Sequence, residues 1–305
     1  MAPLSILIIT YNRPEDTLAL LQSINNQEGK AKYIKEILLL NNASTLSYKI
    51  VEDFIEENRA LPVKLTNHSE NLGVARGRNF LIEKSTGKFL LVLDDDVIFE
   101  NTDAIITAAT LLEEERYIKN NTAVITLNIF YYATRERQTS ALPHKNLEKY
   151  KDKAWFLTYY FTGAAHLMRK ALFEETGLYP PDFFYGMEEY DLSYRIINAG
   201  YTLAFDNKIK VLHKESPEGR VTNNQKLGMM WRNKAKVALR YLPQKYFYST
   251  VFMWGLQYLK KTKFDFSGFL KTLKEIIRFQ SNVPKQKIDK RSLDYLDKVQ
   301  ARLWY

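Results

Sequence analysis

Apolar runs and amphipathic stretches alternate along the first hundred residues. "LSILIIT" (Leu4 to Thr10) predicts a strand, and "PEDTLALLQSINNQ" carries Leu18, Leu21 and Ile24 at helical spacing behind Pro14, a residue suited to a first helical turn. The pattern then repeats as strand "EILLLNN", helix "YKIVEDFIEEN", strand "PVKLTNH", helix "GVARGRNFLIEKS" and strand "KFLLVLDDD". Such alternation predicts βαβ units on a parallel sheet. A run as apolar as Phe89 to Leu93 suits a strand covered by helices on both faces.

Beyond residue 100 the order is a helix in "TDAIITAATLLEEERY", a strand in "NTAVITLNIFYYA" and a polar stretch from Thr134 to Asp152 that predicts a mobile loop over one face. "YTLAFDNKIKVLH" predicts a last strand pair, and "KESPEGRVTNN" has the composition of a lid or linker. The tail is different. "YFYSTVFMWGLQYLKK" sets Phe247, Val251, Trp254 and Tyr258 on one helical face, and "SGFLKTLKEIIRF" sets Leu270, Leu273 and Ile277 against Lys271, Lys274 and Arg278.

Charge sharpens that division. The 305 residues carry a formal +9, but Arg220 to Tyr305 holds 19 Lys or Arg against 5 Asp or Glu, so an acidic body of net −5 precedes a tail of net +14. Basic amphipathic helices of this kind suit an anionic membrane surface. Their aromatics follow helical packing rather than a base-stacking platform, which argues against a nucleic-acid partner. The chain has no cysteine, which removes disulfides, thiolate metal sites and cysteine nucleophiles. With no signal-like amino terminus and no apolar segment of spanning length, the expected location is cytoplasmic, peripheral at most on the inner membrane face.

Two acidic clusters carry candidate chemistry. Asp94, Asp95 and Asp96 end a buried strand, at the sheet edge where ligands of such folds bind, and three adjacent carboxylates repel unless a cation or ligand compensates them. In "MEEYDLSYR", Glu188, Glu189 and Asp191 open a helix, where capping and the helix dipole account for at least one of them. His213 closes the last predicted strand.

The order of these motifs resembles family 2 glycosyltransferases of the GT-A fold: "SILIITYNRP", "LLLNNAS", "NLGVARGRN", "LVLDDDV" as the Asp-x-Asp motif, "FTGAAHLMRK" and "GMEEYDLSYRIINAGY". The resemblance covers Pro3 to about Arg240. Arg232, Asn233 and the basic aromatic tail are similar to bacterial members that build polysaccharides or lipopolysaccharides, rhamnosyltransferase-like ones included. It implies one mostly parallel nucleotide-binding sheet flanked by helices over residues 1–220, with a nucleotide-sugar half to about 100 and an acceptor half after it, and a helical extension over 221–305.

The resemblance also implies roles. Asp96 would hold Mn²⁺ or Mg²⁺ with His213, Asp94 would hold the donor's ribose or sugar, and Asp95 is counted with the nucleotide-binding residues. Thr10, Tyr11 and Arg13 would bind the nucleotide, with Arg76 favoured over Arg78 as a further contact. Asn41 stands where many members have Asp; an amide serves uracil or thymine better than guanine, so the donor expected is a UDP or dTDP sugar. Glu189 aligns with the general base, with Glu188 as rival, for inverting transfer to a glycan or lipid-linked acceptor. A nucleotidyltransferase or dehydrogenase would need a Gly-rich phosphate loop, and "TYNRPED" has no glycine. The competing reading is a catalytically silent relative that binds carbohydrate or acts as a scaffold.

Overall fold

The computed structural model describes residues 2–215, 223–280 and 283–304. Chain order begins β1 (Leu4–Thr10), α1 (Pro14–Asn25), α2 (Lys30–Tyr33), β2 (Ile34–Asn42), α3 (Lys49–Glu57), β3 (Val63–His68), α4 (Gly73–Lys84), β4 (Phe89–Asp94) and β5 (Val97–Phe99). It continues with α5 (Ala104–Leu111), α6 (Glu115–Lys119), β6 (Thr122–Tyr131), a 3-10 turn (Thr139–Ala141), α7 (Leu147–Tyr150), β7 (Trp155–Thr158), β8 (Ala165–Arg169), α8 (Leu172–Thr176), α9 (Glu188–Asn198) and β9 (Thr202–His213). Then come α10 (Asn223–Tyr241), α11 (Gln244–Lys261), α12 (Phe266–Phe279) and α13 (Lys290–Lys298).

The strands form one sheet in the order β3-β2-β1-β4-β8-β6-β9-β5, with β7 also on β9. As the βαβ pattern predicts, β3, β2, β1 and β4 are parallel. Beyond β4 the sheet is mixed: β8 runs antiparallel to β4 and β6, while β6 and β9 are parallel. The expected strand pair at 201–213 is one long strand whose pairing with β6 slips between Thr126 and Asn128. The helix expected over 102–117 breaks into α5 and α6. The stretch expected as a loop at 134–152 holds a 3-10 turn, α7 and the buried Leu142 and His144. The lid or linker stretch falls largely on residues 216–222, outside the described residues.

Alternation along β1 sends Leu4, Ile6 and Ile8 to one face with α1, α3 and α5, and Leu7 to the other with α4, α9 and α10. The basic tail therefore shares the core of the second face. Phe247 and Tyr258 of α11 are buried there, as their spacing predicts, and Trp231 of α10 is the largest fully buried side chain. Asp191 of α9 meets Arg240 of α10 at 2.6 Å and Arg195 at 3.0 Å, so it serves as a helix-to-helix tie. Among the described residues, no helix is long and apolar enough to cross a membrane.

The amino edge of the sheet is fastened by one buried carboxylate. Glu36 accepts hydrogen bonds from Ser5, Thr86 and Lys64. Burial works to raise its pKa, but the bonds from Lys64, Thr86 and Ser5 outweigh it and pull the carboxyl from 4.5 down to about 2. A lowered folded-state pKa means stability that is fully present above pH 4.5 and is lost as pH falls toward 2. Glu36→Gln should therefore destabilise the protein by about 3 kcal/mol at neutral pH and progressively less toward pH 3, read as converging urea midpoints. A gap independent of pH would contradict this.

Candidate active site

The parallel strands deliver their carboxyl ends to one crevice, as doubly wound sheets do. A cavity of about 510 Å³ opens there, lined by Tyr11 and Arg13 after β1, Asn42 at the end of β2, Asn71 after β3, Arg78 of α4, and Asp94 and Asp95 after β4. Phe184 and Tyr185, from the loop before α9, cover one side. That loop is drawn onto the first turn of α4. Val74 N–H donates to Phe184 O at 2.9 Å, and Gly73, at φ +70°, leaves no room for a Cβ, which would lie 2.5 Å from the same oxygen.

The three aspartates differ in environment. Asp94 is half-open to the cavity, with its side chain 41% exposed, whereas Asp95 and Asp96 are buried. Asp95 accepts from Arg13 at 2.7 Å and from Tyr11 N–H at 3.4 Å, and the same guanidinium lies 3.2 Å from Asp96. Burial pushes the Asp95 carboxyl up to about 7 although Arg13 pulls it down, and Asp96 adds to the rise. Arg13 and Asp95 thus neutralise each other.

Asp94, Asp96 and His213 each offer a ligand atom, all within 4.8 Å of one another. The approach of His213 is a matter of register. β5 doubles back on β9 so that Val97 pairs with His213, one residue from Asp96. Gln138 gives its amide N–H to Glu215, so its oxygen faces His213 Nδ1 at 3.0 Å and that nitrogen carries the hydrogen. The lone pair of His213 Nε2 then points at Asp96 Oδ1, 3.2 Å away. Two acceptors face each other, and either a proton or a cation belongs between them. This donor set of two carboxylates and an imidazole fits a divalent metal.

The second acidic cluster reaches the same place through Arg78. Its guanidinium bonds Glu189 at 2.6 Å and Gly163 O at 3.1 Å, and lies 3.6 Å from both Glu188 and Asp94. Burial opposes its charge, but Glu189 and the other carboxylates outweigh that and raise its pKa. Glu188 is deeper: burial, then Glu189, push its carboxyl well up, and its Oε2 has no hydrogen-bond partner. Gly163 makes the junction possible, because a Cβ there would stand 2.2 Å from Glu189 Oε1. Asn233 of α10 donates to Tyr185 O and Gly186 O, holding the covering loop from behind.

Several expected site residues lie elsewhere. Arg76 is on the surface, paired with Glu70, and Arg78 occupies the place given to it. The reason is periodic: Ala75, Arg78 and Ile82 share the buried stripe of α4, and residue 76 falls off it. Asn41 is turned from the cavity, bonded to Ser44 N–H and Asn67, whereas Asn42 lines it; adjacent strand residues point to opposite faces. Thr10 is fully buried, bonded to Thr17 and Tyr48, and supports the site from beneath.

The profile of glycosyl transferase family 2 matches residues 5–177, more than half of the chain, and the chain belongs to that family. An uncharacterized protein of Haemophilus influenzae is 35% identical over 179 residues, covering 58% of this chain and 92% of that one. A mannosyltransferase from Pyrobaculum calidifontis, solved with GDP-Man and Mn²⁺, superposes with a TM-score of 0.61 at 15% identity over 98% of this chain and 79% of its own. GalNAc-T7, solved with UDP, GalNAc and Mn²⁺, gives 0.63 at 20% identity over 93% of this chain, which spans 58% of that longer one. These likenesses show the fold, which is GT-A, and the enzyme is a glycosyltransferase.

Removing the Arg78 guanidinium strands buried carboxylates. Arg78→Met should cost about 3–5 kcal/mol of stability, with the loss partly relieved by adding Glu189→Gln. Additive losses in thermal melts would contradict the coupling.

Proposed function

We propose that this enzyme transfers a hexosyl or deoxyhexosyl group, with inversion, from a UDP or dTDP sugar to a hydroxyl of a glycan or lipid-linked acceptor. The observation that carries the reading is that Asp94 and Arg78 line one cavity, Asp94 grouped with Asp96 and His213 as a metal-ligating set and Arg78 bonded to Glu189.

Asp94, Asp96 and His213 would hold a divalent ion, whose chemistry would be to supply positive charge against the departing diphosphate. With an imidazole nitrogen in the set, Mn²⁺ matches better than Mg²⁺, which prefers oxygen throughout. The half-open Asp94 is also placed to meet the donor's ribose or sugar, and Tyr11 to stack on its base. Arg13, tied to Asp95 and Asp96, keeps those carboxylates in position. Three amides, Asn12, Asn42 and Asn71, line the cavity with their oxygens engaged inside the protein, and their remaining N–H groups would serve the carbonyls of uracil or thymine.

Glu189 is the base. Its side chain is 14% exposed and bonded to Arg78, whereas Glu188 is sealed in, with its carboxyl pushed up by burial. Glu189 takes the acceptor's proton as that oxygen bonds to the anomeric carbon. The bond from that carbon to the diphosphate breaks on the opposite face, and the nucleoside diphosphate leaves with the electron pair.

Glu189→Gln should lower kcat about 10²- to 10⁴-fold while nucleotide- and Mn²⁺-dependent stabilisation persists, and Glu188→Gln should act on stability far more than on kcat. Full turnover in Glu189→Gln would remove it as the base. Nucleotide binding without turnover, in the wild type and with every donor and acceptor tried, would favour the silent-relative reading.

A further inference from the structure

Helix α12 turns apolar side chains outward. Phe266, Leu270 and Ile277 fall on one line along the helix, and all three are more than half exposed. Lys271, Lys274 and Arg278 run beside them, also exposed. The apolar face read from the sequence is thus partly a solvent face, and Thr272 and Ile276 make the buried contact. Helix α11 ends in the same manner, with Phe252 and Leu256 exposed ahead of Lys260 and Lys261.

The turn between the two helices continues the pattern. Lys263 and Phe264 both take positive φ, 54° and 66°, a region that disfavours a bulky side chain. Phe264 is 64% exposed and stacks on Phe266 with ring centroids 6.1 Å apart. Backbone strain therefore presents an aromatic ring to solvent. None of Lys260, Lys261, Lys263, Lys271, Lys274 or Arg278 pairs with a carboxylate among the described residues.

We propose that the α11–α12 surface docks on an anionic membrane, with the apolar row at the boundary of headgroups and acyl chains and the basic row against the headgroups. Six unpaired cations bordering exposed aromatic and aliphatic side chains repel a basic protein surface and complement acidic lipid. The docked face also adjoins the enzyme's interior. A second cavity of about 410 Å³ between α10, α11 and α12 is lined by Lys271 and by Phe184, and Phe184 also lines the donor cavity. Docking here sets the membrane against the side of the molecule where Phe184 lies between the two cavities.

The test is co-sedimentation of the full chain with phosphatidylcholine vesicles, alone or with about one third phosphatidylglycerol. Expected is binding to the mixed vesicles only, weakened by salt and reduced about ten-fold or more by either Lys274→Glu with Arg278→Glu or Leu270→Ser with Ile277→Ser. Those positions are exposed, so unchanged melting curves should accompany the loss. No binding to anionic vesicles, or equal binding by both variants, overturns the proposal. So does a stable oligomer in gel filtration that the same substitutions dissolve while vesicle binding is absent. The readout is independent of sugar transfer, so its failure leaves the catalytic reading intact.

Discussion

Two arginines, the partly buried Arg13 and the buried Arg78, make the active site possible. Five carboxylates, Asp94, Asp95, Asp96, Glu188 and Glu189, gather around Arg13 and Arg78, three of them buried, and without compensation their mutual repulsion and desolvation would drive the site apart. Arg13 answers Asp95 and Asp96; Arg78 answers Glu189, Glu188 and Asp94. Both come from elements of the parallel half of the sheet. Asp96 also faces His213 Nε2 at 3.2 Å, and with Asp94 these groups form a donor set that fits a divalent ion.

The architecture serves this arrangement at a distance. Pairing of β5 with β9 carries His213 to Asp96 across more than a hundred residues of chain. Gly163 and Gly73 admit the close approaches that bring β8 and the α9 loop onto Arg78 and α4. The tail takes part as well: Asn233 of α10 holds the covering loop, and Arg240 ties α10 to Asp191 in the helix that carries Glu188 and Glu189. Truncating the tail would uncover a core face and loosen the site together.

Much of this was legible in the sequence because the parallel half writes itself in apolar runs and helical stripes. The aspartate triplet, the glutamate pair and His213 stood out as charges placed against that background. What escaped was orientation. A strand reverses its side chains at every residue, so reading Asn41 rather than Asn42 misplaced an amide by one full face. On α4, the stripe through Ala75, Arg78 and Ile82 does name the buried arginine, but a charge on a buried stripe reads as an anomaly until its partners are known. The mixed half of the sheet was less legible still, because antiparallel and long-range pairings leave no fixed interval in the chain. On α12 the sequence pattern was clear, and only the tertiary structure tells which side is covered.

The most direct test of the central claim, that this acidic site is completed by a divalent ion and a nucleoside diphosphate, is a thermal-shift panel of UDP, dTDP, GDP and CMP, each with and without Mn²⁺, on the wild type and His213→Ala. The account predicts that UDP or dTDP stabilises the wild type only with Mn²⁺, and that His213→Ala loses the metal-dependent part. Equal stabilisation without metal, or none by any nucleotide, would contradict it.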